Sequence, residues 1–292
     1  MQIRKAILND LGELSSFLTK LQKDSTHHIC SLPIQRNQIE SYLHESQPRW
    51  PKNVFLAYRE KRLIGFIRIV PDTELGRARI EGPLVDDTEW DTVAENLYLI
   101  AVESILSKEI KDHEICGNIS NKRLNGFACR HGFVPNPNKT IQIAIEKERL
   151  SNLPDVSDIS ELTPRFHKAF IQLHDAIFPK TSHSGKQILE MLSDKKKVFI
   201  GKQNDILLGY IYIILDQSTN EGYIDFLGVV KSARRQGIGT KLIIKGIKWL
   251  FTSFDVDKVM LYVTEENEGA YELYNKIGFK PLRWILGYRK IF

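Results

Sequence analysis

Apolar positions along the chain follow two periods, and the changes from one to the other mark out the elements. Leu11, Leu14, Phe17, Leu18 and Leu21 recur at helical spacing behind Asp10, which predicts a capped helix after a short strand at 2–6. A second helix is predicted over 36–46. Runs at 54–59 and 63–70, separated by Glu60-Lys61-Arg62, read as a hairpin, and 77–85 reads as a third strand. An amphipathic helix over 88–108, a strand at 114–119, a short helix through Phe127 and a strand at 140–146 complete the first half. Residues 151–158, with Pro154 among short polar residues, predict a linker.

The same order returns in the second half. Residues 159–178 are predicted helical with one break at Pro164, and 185–193 form another helix. Strands follow at 197–202, 206–215 and 221–230, then 259–264, a short helix at 268–276 and a closing strand at 279–291. The pattern predicts an α+β fold, a mixed α/β sheet with helices on its faces, occurring twice, with domains at 1–150 and 155–292. A length of 292 residues suits two domains.

Composition narrows the class without naming a chemistry. With 42% hydrophobic and 26% charged residues, the chain is that of an ordinary soluble globular protein. Its longest apolar run, 206–215, is too short to span a bilayer, and charges stand where a signal peptide would be apolar, so a cytoplasmic protein is expected. The net charge of +5 is spread along the chain, which gives nucleic-acid binding little support. Cys30, Cys116 and Cys129 are spaced like neither a zinc site nor a disulfide framework and read as ordinary thiols. His167, His174 and His183 form no metal-binding cluster and read as surface or packing residues, so no metal is expected.

The chemistry is concentrated after the strand at 224–230. There Arg234-Arg235-Gln236-Gly237-Ile238-Gly239 precedes a helix carrying Leu242, Ile243, Ile244, Ile247, Leu250 and Phe251 at helical spacing. Glycines allow close backbone approach, and the first helical turn offers N–H groups without intrahelical partners. Two arginines and a positive helix end meet there, a physical recipe for a phosphate or pyrophosphate. A P-loop is absent, because Thr240-Lys241 follows Gly239, and Leu242 stands where a dinucleotide fingerprint needs its third glycine.

The remaining pattern, R-x-x-G-x-G after a strand, resembles the acyl-coenzyme A loop of the GNAT acyltransferase superfamily. Downstream, Asn267-x-x-Ala270-x-x-Leu273-Tyr274-x-x-x-Gly278-Phe279 resembles the second hallmark of that family. Asn121-x-x-Leu124-x-x-Phe127-Ala128-x-x-x-Gly132-Phe133 has the same spacing 146 residues earlier, so the chain resembles a tandem GNAT protein. Aligning Val85 with Val230 puts Glu89, Thr92 and Ala94 where the second copy has Arg234, Gly237 and Gly239, and Ala128 replaces Tyr274. An acidic side chain repels a pyrophosphate, so the first copy is expected to be degenerate and non-catalytic.

The resemblance implies a set of roles. Leu227, Gly228 and Val229 would contact the pantetheine arm, with the N–H near Val229 as oxyanion donor. Arg234 and Arg235 would face the pyrophosphate, while Arg235, Gln236, Gly237, Ile238, Gly239 and Thr240 would present backbone N–H groups to it. Tyr274 is the candidate general acid for the leaving thiolate, or else one more packed aromatic. Asn267 would bond the coenzyme arm or cap its helix. Asp225, sharing a strand face with Glu221 and Tyr223, is the first choice of base, or else a polar residue at a sheet surface. Some family members carry a glutamate where this chain has Tyr262, which leaves the base open. The implied function is an acetyl-coenzyme A-dependent N-acetyltransferase acting directly on an amine of a small molecule or peptide. A non-catalytic acyl-coenzyme A sensor or assembly protein is the alternative.

Overall fold

The computed structural model describes residues 1–46, 48–105, 110–179, 181, 183–216 and 220–292. It divides into two compact units, residues 1–140 with 283–292, and residues 141–282.

The first unit runs β1 (Gln2–Lys5), α1 (Leu11–Gln22), α2 (Arg36–Glu45), β2 (Val54–Arg59), β3 (Arg62–Asp72), β4 (Arg77–Val85), α3 (Trp90–Glu103), β5 (Asp112–Asn118), α4 (Lys122–Arg130) and β6 (Val134–Pro135). The second runs β7 (Thr140–Glu146), β8 (Ile159–Glu161), α5 (His167–Ile177), α6 (Gly185–Met191), β9 (Lys196–Gln203), β10 (Ile206–Asp216), β11 (Glu221–Val229), α7 (Ile238–Ser253), β12 (Lys258–Thr264), α8 (Glu268–Ile277) and the start of β13 (Lys280–Ile291). No described helix is long and apolar enough to cross a membrane.

In the first unit β1 to β4 form an antiparallel meander, and β4 pairs in parallel with β5 through Arg77–Ile80. The apolar stripe of α1 is buried as its period requires, Leu14 and Leu18 completely, beside Ile39 and Leu43 of α2. Asp10 does not bond the amides of α1. Its carboxylate accepts from Arg4 at 2.7 and 2.8 Å and from the Ile7 amide at 2.8 Å, so it ties the helix start to β1. The helix expected to reach Lys108 is described as α3 to Glu103; Lys108 lies outside the described residues.

Three sequence expectations change. Residues 283–292 cluster with the first unit, where 285–291 of β13 pair antiparallel with β5, while 141–146 cluster with the second. Alternation identifies a run as a strand and is silent about which partner it completes. Residues 159–178 are not one broken helix. Ile159–Glu161 pair antiparallel with β9, because Pro164 opens the helical stretch and biases the residues before it towards extended backbone. Cys30 and Cys116 are not ordinary thiols but are joined as a disulfide across 86 residues, leaving Cys129 free and exposed.

In the second unit β9, β10 and β11 are antiparallel, and β11 and β12 are parallel. Alternation along β10 serves two faces. Tyr210 and Tyr212 pack with Phe170 and Phe226, a cluster also joined by residues of α6. Ile211 and Ile213 meet α7, where a Cβ on Gly246 would come within 2.8 Å of Ile213.

Candidate active site

The register between β10 and β11 steps from Tyr212↔Phe226 to Ile213↔Ile224, which leaves Asp225 as a β-bulge. The bulge resets which side chains face which helix. Gly222, before it, lies against Leu250 of α7, whereas Gly228, after it, lies against Ile177 of α5 and Tyr210. Phe226 packs on His174 and Phe178, with centroids 4.8 and 5.1 Å apart. Strict alternation from Glu221 therefore holds only as far as Asp225. β11 and β12 are in register at Gly222↔Val259 and Tyr223↔Met260, and a cavity opens farther along β11 at Leu227, Gly228 and Val229.

This cavity has a volume of about 700 Å³. The loop after β11 forms its second wall, contributing Arg234, Arg235, Gly237, Gly239 and Thr240. Gly237 caps α7 with φ of 78°, and a Cβ there would meet nothing within 4 Å, so glycine serves the left-handed backbone and not a shortage of space. The first i to i−4 bond of α7 runs from the Lys241 amide to Gly237 O at 3.0 Å. The amides of Ile238, Gly239 and Thr240 precede it, so they belong to the first turn that has no intrahelical acceptor. Arg234 Nε donates to Val229 O at 3.2 Å, tying the arginine to the end of the strand. Gln236 and Ile238 are not on the wall: Gln236 Nε2 donates to Ser232 O at 3.0 Å, and Ile238 turns towards Gly201 of β9.

The third wall is α8, through Asn267, Gly269, Ala270, Glu272, Leu273 and Lys276. Of the two sequence readings of Asn267, the helix cap is observed. Its Oδ1 accepts from the Ala270 amide at 3.3 Å, and the residue also lines the cavity. The matching Asn121 caps α4 in the same way, accepting from the Leu124 amide at 3.1 Å. Tyr274 is buried, with its ring edge-on to Phe279 at 5.5 Å, and is not among the described residues of the wall. Burial pushes its hydroxyl up to about 12.

Asp225 is solvent-exposed as a residue, yet burial of its carboxyl is the main influence and raises its pKa above the ordinary aspartate value. His183, His174 and Lys196 act in the opposite direction. The nearby Tyr212 hydroxyl is buried without a partner among the described residues. Sequence reasoning missed Ile177 and Phe178, which line the cavity from the end of α5. The only local signal there is the Phe178-Pro179 helix stop.

The loop after β4 in the first unit carries acids in place of arginines. Asp86 is paired with Lys20 and Arg62 at 2.8 and 3.0 Å, and Arg59 bridges Asp87 and Glu89. These acids stand where the second unit carries its arginine loop. Trp90 opens α3 as a buried side chain. Arg68 of β3 stands opposite Glu81 of β4 as a fully buried ion pair at 3.2 Å, with Ser46 and Pro48 accepting from the guanidinium. Such a pair is tolerated in a core only when networked in this way.

Residues 165–279 match the acetyltransferase (GNAT) family. N-alpha-acetyltransferase 50 of Danio rerio is 30% identical over 135 residues, covering 46% of this chain and 80% of that protein. The probable N-acetyltransferase san of Drosophila melanogaster is 29% identical over 125 residues, covering 42% and 67%. The GCN5-related N-acetyltransferase from Sphaerobacter thermophilus has a TM-score of 0.79 at 14% identity, over 99% of this chain and 95% of that one. A tandem GNAT protein from the clavulanic acid biosynthesis pathway has a TM-score of 0.71 at 13% identity, over 99% and 98%. At those identities the two structures speak for the fold, while the Danio rerio relative and the matched region speak for descent. The chain belongs to the GNAT family of acetyltransferases.

Proposed function

We propose that the chain transfers an acetyl group from acetyl-coenzyme A to a primary amine, that the second unit does the binding and the chemistry, and that the first unit holds no coenzyme. The observation that carries this reading is the cavity between β11, the arginine–glycine loop and α8, set against the acids Asp87 and Glu89 after β4 in the first unit. Acetyl-coenzyme A, when bound, supplies the thioester whose carbonyl carbon the amine attacks, and the sulfur leaves as a thiol. The residues on hand suit that exchange. Arg234, Arg235 and the first-turn amides of α7 face the pyrophosphate. Leu227 to Val229 run beside the arm, with the Val229 amide as oxyanion donor.

A raised carboxyl suits the base, so Asp225 takes the amine's proton, directly or through water. The linkage has a definite sign. A carboxyl raised in the folded state binds more protons there than when unfolded, so between the ordinary aspartate value and the raised one, stability falls as pH rises. Asp225→Asn is therefore expected to melt at a higher temperature than wild type at pH 7, while kcat/KM drops about a hundredfold. A thermal scan paired with initial rates checks both; unchanged rates would remove Asp225 from the chemistry.

For the acceptor, the Danio rerio relative, an N-alpha-acetyltransferase, favours an α-amine such as that of a peptide, with a small-molecule amine as the second reading. The test is coenzyme release with a panel of free-α-amine peptides, polyamines and amino sugars, together with calorimetry of acetyl-coenzyme A. Turnover of at least one amine and one coenzyme per chain is expected. Tight binding with no turnover across the panel would favour a sensor, and two coenzymes per chain would overturn the assignment of the first unit.

A further inference from the structure

His174 lies on α5, fully buried, in a box of aromatic rings made by Phe170, Phe178, Tyr210 and Phe226. Both ring nitrogens are engaged. Nε2 is 2.9 Å from the carbonyl oxygen of His183, and Nδ1 is 2.6 Å from Tyr210 Oη. A carbonyl oxygen only accepts, so Nε2 carries the hydrogen. In the neutral ring Nδ1 is then the acceptor, and the Tyr210 hydroxyl donates to it. The bond order is Tyr210 O–H to His174 Nδ1, then His174 Nε2–H to the carbonyl of His183.

This chain of bonds ends on a carbonyl, which cannot pass a proton onward, so the arrangement is a tie and not a relay. What it ties is specific. Tyr210 supplies the ring edge against which Gly228 passes: a Cβ on Gly228 would come within 2.6 Å of Tyr210 Cε1. The His183 carbonyl immediately precedes Ser184, whose side chain caps α6 by accepting from the Gln187 amide at 3.3 Å. The backbone after His174 also closes on it, since the Phe178 amide donates to His174 O at 2.8 Å and Phe178 lines the cavity.

We propose that His174 is a positioning residue for the wall of the cavity at Gly228 and Phe178. Its ring holds the backbone at His183 and the Tyr210 ring in fixed relation to Gly228 and Phe178. This rests on the acetyltransfer reading above for its effect on coenzyme binding and not for its geometry.

Two variants separate the two bonds. In His174→Gln the amide nitrogen reaches the place of Nε2 and keeps the tie to His183. In His174→Asn the shorter side chain reaches only the place of Nδ1, keeping Tyr210 and releasing His183. His174→Gln, which gives up Tyr210, is expected to weaken acetyl-coenzyme A binding about tenfold by calorimetry, and His174→Asn, which keeps Tyr210 against Gly228, to hold it within about twofold. Amide exchange at residues 183–188 should quicken in His174→Asn and return towards wild type in His174→Gln. Nitrogen-detected NMR of the wild-type ring should report the Nε2–H form.

An Nδ1–H form overturns the inference, as does coenzyme affinity that is the same in both variants, or exchange that is the same in both variants. If the wild type binds no acetyl-coenzyme A, the acetyltransfer reading fails, and the NMR and exchange results still decide the role of His174.

Discussion

Alanine at both Arg234 and Arg235 is expected to weaken acetyl-coenzyme A binding about a hundredfold. A hydrogen bond to a charged group contributes about 1.5 to 3 kcal/mol, and the lower end applies at a solvent-open loop, so each arginine accounts for about tenfold. Both residues line the cavity, and Arg234 is braced on Val229 O, so its removal also frees the end of the strand that would carry the coenzyme arm. Salt provides an independent check. Wild-type affinity should fall as salt is raised, while the double variant should be nearly insensitive, because the screened charges are gone. Substituting Arg59, which bridges Asp87 and Glu89 in the first unit, should leave coenzyme affinity unchanged. Unaltered affinity in the double variant would mean that the pyrophosphate lies elsewhere.

Tyr274→Phe is expected to lower kcat by about ten- to a hundredfold with both KM values nearly unchanged. The size follows from the acidity of the phenol. With the hydroxyl pushed up to about 12 by burial and a free thiol near 8.5, full proton transfer to the leaving sulfur is uphill by about 5 kcal/mol. A hydrogen bond donated to a sulfur that gains charge costs nothing of that kind. It is made only as the charge develops, and so it appears in kcat and not in binding. The loss should therefore stay constant from pH 7 to 9, measured by initial rates at saturating substrates. A loss that disappears across that range would point to proton transfer by another group, and no loss at all would leave Tyr274 as a packed aromatic against Phe279.

Much of this protein can be read along the chain because the controlling physics is local. Alternation of period two and repeats of period 3.6 report which side chains face a core, and they place β2, β3, β4, β10 and α7 close to their observed limits. The arginine–glycine loop is equally local. Left-handed backbone at Gly237 and first-turn amides with no intrahelical partner depend on neighbours a few residues away, so the cavity gathers most of the residues that the loop motif names. The comparison of Glu89 with Arg234 needs only the two copies side by side.

What the tertiary structure decided depends on partners distant in sequence. Asp225 becomes a bulge only because β10 offers one residue too few opposite it, and that shift turns Phe226 and Gly228 towards α5. The last ten residues join the first unit, and Cys30 finds Cys116 across 86 residues, because pairing is chosen by three-dimensional proximity. Tyr274 and Leu273 are adjacent in sequence, yet packing of α8 puts Leu273 on the cavity wall and Tyr274 against Phe279. His174 reads as a packing residue in the chain and becomes a two-ended tie only when folding brings Tyr210 and the His183 carbonyl to its two nitrogens. Periodicity carries the facing of a side chain; register, sheet membership and the partners of a buried polar atom are properties of the assembled core.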